Sequence, residues 1–424
     1  MTRFVCSILF VALAVFVQAQ SNFDQYFNPN TLRIDFSLSG THEQTEVALE
    51  QLKQEPNWGG PRKNLVDKAD YGNYRYQAFD HKSGKLVYSK GFSSLFEEWQ
   101  STPEAKQLTR SYYHVATLPF PKDTIDFVLD WRNDNGEFET LFRMAINPND
   151  YFILNETAPA YPVKTVAEYG APDKKVDLVF LPEGYTATEM DKFEADIKRL
   201  TDYLFTIPPY DRHRQDFNLH AVLLPSAESG TDIPGQHIYK HTAFNSTFYT
   251  FDSERYLTSR DMKSVYDALA GVPCDQIYVI VNTPKYGGGG FYNFLNLCAA
   301  DNVKSPEVFV HEFGHGFAGL ADEYFANGVA DDYYKLNVEP WEPNITTLVD
   351  FDSKWKRMIA PGMPLPTPRT AEYNGVVGLF EGGGYTTKGV YSPVMDCRMR
   401  TNEAPGYCPV CSKAIDETIR LLTE

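Results

Sequence analysis

Ser305-Pro-Glu-Val-Phe-Val-His311-Glu312-Phe-Gly-His315-Gly-Phe-Ala-Gly319-Leu-Ala-Asp322-Glu323-Tyr324 is the stretch on which the reading of the whole chain turns. Its helix signals agree with one another: Ser305 is a good N-cap, Pro306 suits the first helical position and Glu307 complements the positive end of the dipole. On such a helix His311 and His315 lie one turn apart on one face, so both imidazoles can reach a single metal ion. Glu312 stands beside them, able to take a proton from water on that metal. Zinc lowers the pKa of its water toward ~7 and polarises a carbonyl, which allows peptide hydrolysis at neutral pH without a covalent intermediate. The His-Glu-x-x-His pattern arises by accident in roughly one chain of this length in a hundred. Accident would not also supply a helix start at the right distance and a glycine after it.

Gly319 can take the left-handed conformation that ends a helix, so the chain turns back and a residue shortly after it faces the metal. Asp322 is the best placed third ligand, with Glu323 as the alternative.

Upstream of this segment the pattern is α/β. Val176 to Leu181 reads as a buried strand, and Thr186-x-x-Glu189 is a capping box opening a helix with Met190, Phe193, Ile197, Leu200 and Leu204 on one face. Phe217 to Leu224 and Gln276 to Val281 read as strands, and Asp252 to Ala270 as a helix. The Gly287 to Gly290 run lacks the Gly-Lys-Ser/Thr ending of a phosphate loop and precedes a strand-like segment, Phe291 to Leu297, so that reading is set aside.

Before residue 155 the pattern changes to short alternating segments. Tyr74 to Asp80 and Lys85 to Gly91 flank a turn at Gly84, and Thr124 to Arg132 and Glu137 to Ile146 flank Asn135-Gly136, a hairpin signal. One helical interruption is expected within Ser94 to Lys106. Asn155 to Val163 reads as a linker. The expected organisation is a signal peptide over 1–19, a β-sandwich-like domain over 20–160 and a catalytic domain over 161–424. The signal peptide rests on Arg3, an apolar stretch from Phe4 to Val17 shorter than the ~20 residues of a span, and Val17-Gln18-Ala19 at the cleavage point. The mature chain is therefore expected to be secreted, whether periplasmic, surface-bound or released, with no transmembrane span.

Lys and Arg number 39 against 56 Asp and Glu, a net charge of −17, which disfavours nucleic acid as a partner. Hydrophobic residues make up 43% and aromatics 14%, so a disordered or collagen-like chain is excluded. Cys274, Cys298, Cys397, Cys408 and Cys411 follow the expected cleavage point, an odd number, and Cys408-Pro-Val-Cys411 lacks the second such pair of a zinc knuckle.

The helix segment resembles a metzincin zinc motif with an extra residue before the glycine and Asp in place of the usual His, and in this form it is similar to the bacterial IgA-peptidase family of secreted metallopeptidases. Further matching elements are Glu342-Pro-Asn344, Gly378-Leu-Phe-Glu381-Gly-Gly-Gly-Tyr385, Cys397-Arg-Met399 and Tyr407-Cys408-Pro-Val-Cys411, so the resemblance covers about residues 170 to 420. It implies an α+β chain whose second domain is a metzincin-like α/β zinc peptidase, with His311, His315 and Asp322 on Zn2+ and Glu312 as the catalytic base. It also implies that Met399, or alternatively Met395, forms the methionine floor beneath the metal. No Tyr follows Met399 by two, where some metzincins carry a metal-facing phenol; Tyr324, Tyr385 and Tyr391 are the candidates for that part. A metzincin-like arrangement places an edge strand before the zinc helix, able to take an extended peptide by strand addition, with the glycine run as a flexible rim. A Cys397 bridge to Cys408 or Cys411 is a further expectation. The substrate class is protein or peptide, with immunoglobulin indicated by the family name alone. The competing reading is a non-catalytic surface or periplasmic protein that binds protein or glycan on a metallopeptidase scaffold; an intact Glu312 argues against it, since a scaffold needs no base.

Overall fold

A short helical turn, α1 (Phe23–Tyr26), opens the strand-rich first part of the chain. There follow β1 (Phe27–Gly40), β2 (Thr45–Glu55), β3 (Tyr74–Asp80), β4 (Leu86–Phe92), α2 (Leu95–Gln100), β5 (Arg110–Pro121), β6 (Ile125–Arg132), β7 (Phe138–Ile146) and β8 (Ile153–Asn155). The computed structural model describes residues 23–157, 159–325 and 333–424. The expected signal peptide over 1–19 lies outside the described residues. The strands of this part form two four-stranded sheets, ordered β5-β1-β2-β8 and β4-β3-β6-β7. The β6–β7 hairpin is the one expected from Asn135-Gly136, but only Gly136 takes a left-handed φ, 80°. Asn133 makes up the difference, its Oδ1 accepting from the N–H groups of Asn135 (2.9 Å) and Glu137 (3.0 Å). The helix expected within 94–106 is shorter than its window: Ser94 caps α2 by accepting from the Phe96 N–H, and a separate 3-10 turn covers Glu104–Lys106.

The chain then runs through β9 (Val163–Ala167), β10 (Val176–Glu183), α3 (Met190–Leu204), β11 (Phe217–Val222), α4 (Met262–Leu269), β12 (Gln276–Val281), β13 (Gly288–Phe291), β14 (Leu295–Ala299) and α5 (Ser305–Ala318). The strands form a six-stranded sheet ordered β13-β14-β12-β10-β11-β9, parallel in its middle and antiparallel at both edges. Every residue of β10 is buried, including Asp177 and Glu183, which is why its middle, Leu178 to Leu181, reads as an apolar run. The capping box at Thr186 and Glu189 is formed, and Phe193, Ile197, Leu200 and Leu204 of α3 are buried as their spacing predicts. A hairpin, β15 (Phe380–Gly383) with β16 (Thr386–Ser392), and a final helix, α6 (Pro409–Thr423), complete the α+β chain.

The period-two alternation of β10 divides it between two cores. Leu178 and Phe180 join a cluster with Phe309 and Phe313 of α5, where the Tyr278 and Phe309 rings stack with centroids 4.2 Å apart. Val179 and Leu181 point the other way, into a cluster continuous with Leu32, Phe36 and Tyr76 of the first part. The two sheet systems therefore share one hydrophobic core. Buried charge reinforces the join: Arg33 of β1 reaches Asp267 of α4 at 2.9 Å, and Lys53 of β2 reaches the same carboxylate at 2.8 Å.

Two expected elements differ. The helix expected from Asp252 begins only at Met262, where the Asp261 side chain accepts from the Ser264 N–H. The ten residues before it pair elsewhere, Tyr256 bridging Gly288 and Thr258 bridging Thr247. The strand expected over Phe291 to Leu297 is a hairpin bend, with Asn293 at φ 51° between β13 and β14. Among the described residues no helix is long and apolar enough to cross a membrane.

Candidate active site

The start and end of α5 decide where its histidines lie. Lys304 rather than Ser305 occupies the N-cap position, and the Ser305 hydroxyl instead donates to the Ala299 carbonyl (2.5 Å), tying the helix to the end of β14. At the other end Gly319 is left-handed as expected (φ 62°), with its N–H donating to the His315 carbonyl and the Leu320 N–H to the Gly314 carbonyl. The chain that turns back is held by Asn344, whose Oδ1 accepts from the Ala321 N–H (2.7 Å) and whose Nδ2 donates to the Ala321 carbonyl (2.9 Å). Asp322 is thereby brought under the helix.

The result is a triangle of ligand atoms. His311 Nε2 and His315 Nε2 are 3.1 Å apart, and Asp322 Oδ1 lies 3.1 Å from the first and 3.4 Å from the second. Nitrogen and oxygen donors about 2.0–2.1 Å from one tetrahedral ion are about 3.3 Å apart, so the triangle fits such an ion. The remaining hydrogen bonds orient these atoms. His311 Nδ1 donates to the Arg398 carbonyl (2.9 Å) and His315 Nδ1 to the Leu320 carbonyl (2.5 Å), leaving both Nε2 lone pairs facing Asp322. The Tyr385 hydroxyl donates to Asp322 Oδ2 (2.6 Å), while Oδ1 is buried with no hydrogen-bond partner. Burial opposes a charged imidazole, yet Asp322 outweighs it and holds His315 up to about 9, and the two imidazoles keep Asp322 well below the carboxylate range.

Glu312 faces the same space, a carboxylate oxygen lying within 4.8 Å of the imidazole nitrogens, and burial raises its pKa above the usual carboxylate value. Asp322 makes the tighter set with the histidines. Its neighbour Glu323 faces the opposite way, Oε1 accepting from Asn344 Nδ2 (3.0 Å) and from the Cys411 thiol (3.2 Å). Met399 is fully buried on a tight turn, with the Arg400 N–H on the Cys397 carbonyl (2.7 Å), and a side chain added at Gly314 would meet its sulfur at 2.7 Å. It thus packs between the turns that carry the two histidines, whereas Met395 is only half-buried. Of the three candidate phenols, Tyr385 touches Asp322, Tyr324 lines the cleft, and Tyr391 pairs with Thr346 instead.

The glycine run lines the cleft as expected, and it is also a close-packing device. A Cβ at Gly290 would stand 2.3 Å from the Glu312 carbonyl oxygen, and one at Gly288 would stand 2.6 Å from Glu312 Oε1. Only glycine lets the edge strand lie directly on α5. The outer side of that strand is engaged at both ends, the Leu257 N–H donating to the Gly288 carbonyl (3.3 Å) and the Ser93 N–H to that of Tyr292 (2.9 Å). A chain adding to β13 as expected therefore finds the Gly288 carbonyl already engaged.

The ligands open into a cleft of about 520 Å³. Its walls include groups that no local motif announces: Glu97 and Glu98 of α2, Tyr256, Arg255 and Trp341. The Tyr256 hydroxyl donates to Glu98, and burial pushes Glu98 up to about 7 and Glu97 up to about 8. A family model described as IgA peptidase M64 matches residues 165–374 and 369–419, more than half of the chain. The chain belongs to the IgA peptidase M64 family. Members of the M64 family are metallopeptidases, so the protein is a peptidase acting on protein or peptide. A second model, for the M64 N-terminus, matches residues 22–143, so both matched regions of this M64 chain supply walls of one cleft. No curated protein matches the chain.

Proposed function

We propose that the protein is a secreted zinc metalloendopeptidase that hydrolyses peptide bonds of extracellular or host proteins. The observation that carries the reading is the convergence of His311, His315 and Asp322 within 3.4 Å of one another, with Glu312 facing the same cleft. In this reading those three residues hold Zn2+, which when bound polarises the scissile carbonyl and lowers the pKa of water to about 7. Glu312 takes the proton of the attacking water and returns it to the leaving amine, and its raised pKa suits a group that must both accept and donate. Tyr385 fixes the Asp322 carboxylate, and the carbonyls of Arg398 and Leu320 fix the two imidazoles. Met399 serves as the apolar floor of a metzincin-like centre, and the two four-stranded sheets make up the β-sandwich-like domain over 20–160, ahead of the catalytic domain over 161–424. Secretion is supported by the charged, apolar and small-residue order of residues 1–19. Immunoglobulin A is a candidate substrate through the family name.

The test is cleavage profiling by mass spectrometry against a broad set of extracellular proteins that includes immunoglobulin A. Cuts that disappear with a chelator and return with added zinc are the expected result. Cuts indifferent to the chelator, or none by a zinc-loaded protein, would refute the reading.

A further inference from the structure

A second cluster lies behind the first. Glu323, Cys397, Cys408 and Cys411 are all buried, and one ligand atom from each lies within 4.8 Å of all the others. The cysteines are free in this structure: Cys397 and Cys411 have their sulfurs 3.8 Å apart, so the expected bridge is not made. Four ligands on a tetrahedral ion with Zn–S near 2.3 Å have sulfurs about 3.8 Å apart, which is the Cys397–Cys411 spacing. We propose that these four side chains form a second, structural metal site, of Cys3Glu type and suited to Zn2+.

Three further observations point to an ion. Glu323 Oε2 is fully buried and has no hydrogen-bond partner. Backbone N–H groups aim at the sulfurs as they do at metal thiolates, from Cys408 to Cys397 Sγ (3.2 Å) and from Cys411 to Cys408 Sγ (3.5 Å). The excess negative charge of three thiolates and a carboxylate has a neighbour of opposite sign, Arg400, whose guanidinium donates to the Glu323 carbonyl oxygen. The site is closed, with no ligand atom in the cleft lining, as a structural rather than a catalytic ion requires.

The placement gives the ion a task. Glu323 follows Asp322 directly, Cys397 precedes Met399 by two, and Cys408 and Cys411 begin α6. One ion would cross-link the segment after the zinc helix, the methionine turn and the C-terminal helix, holding the floor of the cleft from behind. The Glu323 N–H to Met399 carbonyl bond (2.8 Å) already joins two of these segments.

The proposal does not depend on the peptidase reading, and the test keeps them apart. The full chain is purified under reducing conditions without chelator, its metal content is measured, and it is reloaded with cobalt(II). About two zinc ions per chain and a thiolate-to-cobalt charge-transfer band are expected, the band coming only from the cysteine cluster. The variant with His311→Ala and His315→Ala should lose one ion and keep the band. The variant with Cys408→Ser and Cys411→Ser should lose the band and melt at lower temperature; should it fail to fold, the cobalt spectrum of the unaltered chain decides. Absence of the band from a reduced, cobalt-loaded chain, or peptide mapping that finds Cys397 bridged to Cys408 or Cys411 in protein isolated without added oxidant, would overturn the proposal.

Discussion

Asp322 and Glu323 are consecutive carboxylic acids, both buried, yet they serve two clusters of different character. Asp322 joins two imidazoles at the floor of an open cleft, with Glu312 beside them; Glu323 joins three thiols in a closed compartment on the other side of the chain. The sequence interval between them is a single residue, so the difference comes from what is packed on either side. On one side Gly319 and Asn344 deliver the backbone to the helix, and on the other Cys397 and α6 close over it. An open set of three ligands leaves room for substrate, whereas a closed set of four has only a structural use.

The comparison can be broken from either side, and exchanging the two acids has the largest expected effect. Asp322→Asn should remove the ion of the open cluster and with it activity, at more than the 10–100-fold typical of a supporting residue, while the thiolate cluster is unaffected. Glu323→Gln should lower the melting temperature and leave zinc on the histidines. Metal analysis and calorimetry on the two variants distinguish these outcomes, and equal behaviour would dissolve the distinction.

Next in size is Gly290→Ala. The added Cβ meets the Glu312 carbonyl oxygen at 2.3 Å and His315 Cβ at 3.0 Å, and neither can give way without moving α5. A loss of about 1–3 kcal/mol is expected from chemical denaturation, with weaker metal retention at the open cluster. Gly362, whose added Cβ would meet nothing, lies outside both clusters and serves as the reference glycine for metal retention.

Tyr385→Phe sharpens the comparison further, because it removes one hydrogen bond from Asp322 and none from Glu323. Zinc affinity should fall about 10–100-fold, read by competition with a chelating dye. The smallest effect is expected of Met399→Leu, which keeps volume and apolarity: a cost below about 1.5 kcal/mol, with metal content unchanged. Loss of metal in that variant would make the thioether a ligand rather than a floor.

How much of this was legible in the sequence depended on how local the cause was. The helix α5, the capping box at Thr186 and the β6–β7 hairpin follow from propensity and periodicity within a few residues, and all are found where expected. Gly319 ending its helix and Asp322 coming under it were legible for the same reason. The helix expected from Asp252 was not, because residues 253–258 gain more by bridging to Thr247 and Gly288 than by continuing a helix. The glycine run carried a signal of close backbone approach that a loop reading missed. Glu97 and Glu98 carried no signal, since only the shared core brings α2 to the cleft. The thiol cluster was partly visible: the Cys408 and Cys411 pair stood out and Cys397 was expected beside it, but Glu323, an acid that doubled as a candidate third ligand, joined them only in three dimensions.

The central claim is that Glu312 performs the proton transfer while others hold the metal, and Glu312→Gln tests it most directly. Zinc content and turnover of one substrate are measured on the same preparation. The account predicts unchanged zinc and a kcat lower by about 10²–10⁴-fold. Undiminished turnover with zinc in place would contradict it.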